Sequence, residues 1–110
     1  MEILKIFTSA TVEDILYTLN VPVSYMKPDN KRLYEHEYGA TIKVPKENKY
    51  CVYIRNDLPD TQRQQTLCHE LGHIVLGHMT DKKFPFMTEK QREKEAEEFA
   101  SFILPYIYQS

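Results

Sequence analysis

His69-Glu70-Leu71-Gly72-His73 is the stretch on which the reading of this chain turns. On a helix of 3.6 residues per turn, positions i and i+4 differ by only about 40° around the axis, so both imidazoles can aim at one ion. Glu70 sits about 100° round from His69, where it flanks a metal without binding it and can take a proton from an attacking water. Five residues with two free positions also arise by chance, so the neighbours carry weight. Leu67, Leu71, Ile74 and Val75 fall on the opposite side of the same helix and are expected to anchor it in a core, leaving the histidines a face of their own. Gly72 lies on the flank beside His73. Glycine costs about 1 kcal/mol in a helix interior, and its missing side chain is expected to admit a substrate backbone or a neighbouring strand.

Length and composition frame this reading. With 110 residues, 42% hydrophobic and 27% charged, the chain is expected to form one domain over residues 1–110 with a modest core. A net charge of -2 and a pI near 6.1 supply no basic field for phosphates, so no direct nucleic-acid binding is expected. There is no run of 18 apolar residues, and Met1-Glu2-Ile3-Leu4-Lys5 lacks the pattern of a secretory signal, so no membrane association and a cytoplasmic location are expected. Cys51 and Cys68 are too few for a disulfide framework. Cys68 precedes His69, but one residue is about 100° of helix and carries the thiol off the histidine face. It is read as a small buried packing residue.

The rest of the chain suggests an α+β fold. Thr11-Val12-Glu13-Asp14 resembles a capped helix start, and Val12, Ile15, Leu16 and Leu19 repeat at helical spacing until Asn20 and Pro22. Residues 1–7 fit a strand or an earlier helix. Val21 to Tyr25, Tyr38 to Val44 and Tyr50 to Ile54 are rich in Val, Ile, Tyr and Thr, with residues 45–49 as a hairpin loop, and predict a small, mainly antiparallel sheet. Met26 to Glu37 is polar and read as a loop bordering the site. Thr61 with Gln64 forms a capping box that predicts a helix over about 62–78, ending at Gly77-His78. Residues 81–86 form a connector whose Phe84 and Phe86 are expected to pack on the core. Thr88 with Gln91 forms a second box, opening a helix to about Leu104 that Pro105 ends. The expected architecture is thus a small antiparallel sheet packed on the His69–His73 helix and a following C-terminal helix.

A zinc hydrolase needs a third protein ligand and an open position. One major peptidase class places Gly at 76 and a third His at 79 in this numbering, whereas the chain has Leu76, Gly77, His78 and Met79, so His78 is out of register. The C-terminal helix offers Glu93, Glu95, Glu97 and Glu98. Ala96, Phe99, Ala100, Ile103 and Leu104 make one apolar stripe with Glu93 and Glu97 at its edge, while Glu95 and Glu98 project the other way. Ala96 and Ala100 permit a close helix-to-helix approach that sets Glu93 or Glu97 against the histidines.

Thr66 to His78, followed by Glu93-Lys94-Glu95-Ala96-Glu97-Glu98-Phe99-Ala100 and on to Ile103-Leu104-Pro105, resembles the ImmA/IrrE family of zinc metallopeptidases, whose second signature runs E-x-x-A-x-x-F-A-x-x-L-L-x-P. The match is good over about residues 62–105. The resemblance implies a minimal domain of the peptidase class with a glutamate third ligand: Zn²⁺ held by His69, His73 and Glu93, Glu70 as catalytic base, and Glu97 supporting a ligating histidine. It also implies a helix-turn-helix repressor as partner, cleaved to relieve repression; the rival is a regulator of the same fold that disables the repressor by binding alone. The residues leave the oxyanion donor open among Tyr34, His36, Tyr38 and His78. A general peptidase is disfavoured by the little wall so small a domain can raise around a cleft. Gln65 stands where the family usually has an aromatic residue, which is expected to weaken local packing.

Overall fold

Thr11 opens the first element because its hydroxyl accepts from the Asp14 N–H while the Asp14 carboxylate accepts from the Thr11 N–H, satisfying two of the donors a helix start leaves bare. In this computed structural model, which describes residues 11–31, 33, 38–44, 49–77 and 88–107, the resulting helix α1 spans Val12–Thr18. It stops at Asn20, whose φ of 60° is the left-handed conformation that asparagine tolerates after a helix. Residues 1–7, the 45–48 stretch of the hairpin loop and the 81–86 connector with Phe84 and Phe86 lie outside the described residues.

Three strands follow: β1 (Val23–Met26), β2 (Gly39–Val44) and β3 (Lys49–Arg55). β3 is central. β2 pairs with it antiparallel, from Gly39 opposite Ile54 to Val44 opposite Lys49. β1 pairs on the other edge in parallel, from Val23 beside Val52 to Met26 beside Arg55. The sheet is therefore mixed, a difference from the antiparallel expectation. Segment 27–38 is too long for a hairpin turn and carries the chain from one edge of β3 to the other, which leaves β1 and β3 pointing the same way.

The sheet face bearing Val52 and Ile54, both fully buried, packs on helix α2 (Asp60–Val75) through Leu67, Cys68 and Leu71. Each large aliphatic side chain so buried contributes about 1.5–3 kcal/mol. α2 begins two residues earlier than the sequence suggested: Pro59 is its N-cap and makes no side-chain cap bond, so the Thr61/Gln64 box does not form. Proline fixes the extended backbone that starts the helix, Thr61 lies exposed inside the first turn, and Gln64 is buried. Arg63 ties α2 to α1 through Glu13. The buried stripe runs from Gln64 through Leu71 to half-buried Ile74, and Val75, about 100° further round, falls off its edge and is exposed. Gly77, with φ 73°, closes the helix.

Thr88 caps helix α3 (Glu89–Ile103) through the reciprocal bonds expected with Gln91. Its buried face is Ala96, Ala100 and Ile103, and Pro105 follows within a 3-10 turn over Leu104–Tyr106. No helix among the described residues is long and apolar enough to cross a membrane.

Candidate metal centre

α2 and α3 pack face to face where their side chains are smallest. A Cβ on Gly72 would stand 3.3 Å from both the Cα and the carbonyl oxygen of Ala96, and 3.1 Å from Cδ1 of Phe99. The close approach that Gly72 permits is thus to a helix, in place of the strand or substrate backbone expected of it. It brings the edge of α3 onto the histidines.

His69 Nε2 and His73 Nε2 lie 3.2 Å apart. Glu93 reaches both, with Oε2 at 2.7 Å from His69 Nε2 and Oε1 at 3.2 Å from His73 Nε2. The other nitrogen of His69, Nδ1, lies 2.5 Å from Glu97 Oε1, an ion-pair contact rather than an aligned hydrogen bond. A neutral ring whose Nδ1–H faces Glu97 leaves Nε2 as a bare lone pair. With His73 in the same tautomer, two imidazole lone pairs and a carboxylate face one point, an arrangement that favours a cation among them. Three donors at Zn–N and Zn–O lengths of about 2.0–2.1 Å in tetrahedral array stand roughly 3.3 Å apart. The observed spacings, with the three donor atoms all within 4.8 Å, suit that size of ion. Of the glutamates left open by the stripe, Glu93 meets both histidines and Glu97 only the far side of one.

The centre sits in an open cleft of about 1120 Å³, floored by α2 and walled by β2 and α3. A family model describing the IrrE N-terminal-like domain of the M78 peptidases matches residues 18–108. The chain belongs to that family. M78 peptidases are generally metal-dependent, in keeping with a donor group that could hold a metal ion. No curated protein and no solved structure matches the chain significantly.

The site has further members that the sequence reading passed over. Thr41, on β2, donates its hydroxyl hydrogen bond to Oε2 of Glu70. Gly39, two residues earlier, is where a Cβ would meet Thr66 Cγ2 at 2.9 Å and the Tyr53 carbonyl oxygen at 3.1 Å. A glycine inside a β-rich run signals close backbone approach, and that signal was present at Gly39. Among the oxyanion candidates, Tyr34, His36 and His78 lie outside the described residues, while Tyr38 is exposed at the cleft wall with the Arg55 guanidinium 5.4 Å from its ring centroid. Arg55 is itself held by Asp57, whose carboxyl it keeps below the usual range through a paired hydrogen bond. Gln65 is exposed and lines the cleft, so its polarity takes nothing from the core. Cys68 is fully buried, away from the donors, and burial pushes its thiol up to about 12.

Proposed function

We propose that the chain is a zinc-dependent endopeptidase in which His69, His73 and Glu93 hold the ion, Glu70 carries the proton and Glu97 positions His69. The observation that carries this reading is the convergence of the two Nε2 atoms and the Glu93 carboxylate beside a glutamate that is only 6% exposed, in one cleft. A bound zinc ion would polarise a peptide carbonyl and make a nearby water more acidic. Glu70 takes one proton as the water oxygen bonds to the carbonyl carbon, and returns it to the amide nitrogen as the C–N bond breaks. Tyr38 donates its phenolic proton as a hydrogen bond to the carbonyl oxygen as charge develops there. Its place on the cleft wall supports this role.

An extended peptide suits the cleft. Gly39, Ala40, Thr41 and Ile42 all line it although successive residues of a strand face opposite ways, so β2 offers its edge, and β2 is an edge strand of the sheet. The proposed substrate is a helix-turn-helix repressor, the partner that the ImmA/IrrE resemblance implies. Zinc-loaded protein mixed with a repressor encoded beside it should yield one discrete cut. Release of DNA with the repressor intact would favour inactivation by binding alone.

A further inference from the structure

We infer that Thr41 is a positioning residue for Glu70, holding its carboxylate on the β2 side of the cleft; the inference rests on the reading of Glu70 as the proton carrier. A glutamate on a helix has three side-chain torsions and, left alone, sweeps a wide arc. Glu70 is buried, and Thr41 Oγ1 donates to its Oε2 from a strand 29 residues away in sequence. A hydroxyl bonded to a carboxylate is a charge-assisted contact, roughly twice as strong as a neutral one.

The strand is set in register with the helix to make this contact. Gly39 lies against Thr66, and Thr41 lies against Glu70. Two residues of strand advance about 6.6 Å and four residues of helix about 6 Å, so a two-residue step on β2 keeps pace with one turn of α2. Positions 39 and 41 share one face of the strand because successive strand residues alternate between faces. Gly39 fixes the spacing: a side chain there would collide with Thr66 and the Tyr53 carbonyl, so β2 approaches α2 closely enough for a short threonine to reach the base. Threonine also suits the task by chemistry, since its branched Cβ restricts χ1 and so aims the hydroxyl. Valine has the same shape without the donor, and serine keeps the donor with a looser torsion.

The test uses the zinc-loaded full chain with Thr41→Val, Thr41→Ser, Glu70→Met and the Thr41→Val/Glu70→Met double variant. The readouts are urea unfolding, bound zinc per chain, and cleavage of the helix-turn-helix repressor encoded beside the protein. Thr41→Val should lower the folding equilibrium constant about tenfold when Glu70 is present and less than about threefold when Met replaces it. It should also lower kcat about tenfold or more while leaving KM and bound zinc unchanged, and Thr41→Ser should recover most of the loss. Additive stability effects, or a serine variant no faster than the valine one, would overturn the assignment. If the wild-type chain leaves that repressor intact, the peptidase reading fails by itself. The stability cycle then still decides whether Thr41 holds Glu70: coupling sustains the contact, and its absence removes it.

Discussion

Gly72 on α2 and Ala96 on α3 stand so close that a single added methyl would press within 3.3 Å of the Ala96 backbone. Backbone atoms yield less readily than the ends of side chains, so this contact fixes the distance between the two helices. It also fixes the distance from Glu93 to the histidine one residue beyond Gly72. Gly72→Val should therefore push α3 away and weaken zinc binding about tenfold or more, a loss of the size seen when ligand-orienting residues are removed. Gly72→Ala should do so less. Competitive titration against a zinc chelator measures the change, and unaltered affinity in the valine variant would detach the helix spacing from the site.

Glu93 and Glu97 touch the same imidazole from opposite nitrogens, and the two contacts should weigh differently. Glu93→Ala removes a donor shared by both histidines and should abolish stoichiometric zinc binding. Glu97→Ala should leave binding in place but weaken it about 10–100-fold, through loss of the partner of Nδ1. A larger loss in the Glu97 variant would exchange the two roles.

Cys68 is buried and Cys51 only half-buried. Burial raises the Cys68 thiol from 9.0 to about 12, with Glu13 adding to the rise, because the charged thiolate is the form that burial disfavours. The unfolded chain ionises near 9 while the native chain holds its proton, so this group subtracts nothing from stability below pH 9 and erodes it as pH rises from 9 towards 12. At pH 9 iodoacetamide should label half-buried Cys51 in the native protein and reach Cys68 only after denaturant is added. Equal labelling rates without denaturant would contradict the buried placement.

Gln64 is 2% exposed, and neither its Oε1 nor its Nε2 has a partner among the described residues. Leucine of similar size should fill the place without leaving an amide unpaired, and Gln64→Leu should stabilise the protein by about 1–3 kcal/mol in urea unfolding. Destabilisation would mean that the amide is satisfied in the native protein.

The same residue shows where the sequence was legible and where it was not. The cap at Thr11 and the box at Thr88 form as read, and Asp14 completes a box at Thr11 as well, because the partners lie three residues apart and their geometry is local. Thr61 and Gln64 carry the same spacing, yet Pro59 starts the helix earlier and the core claims Gln64. The histidine pair was readable from its i, i+4 spacing, and Glu93 from the stripe beside Ala96 together with family likeness. Thr41 was not, because its partner Glu70 is 29 residues away and the contact depends on strand register and helix spacing. The parallel pairing of β1 escaped for the same reason, since no turn residue marks a crossing from one sheet edge to the other.

The most direct measurement is a crystal of the zinc-loaded chain with anomalous scattering recorded on both sides of the zinc absorption edge. One peak is expected about 2.0–2.2 Å from Nε2 of His69, Nε2 of His73 and a carboxylate oxygen of Glu93, with Glu70 outside bonding range. A peak elsewhere, or none in a chain carrying stoichiometric zinc, would contradict the metal centre.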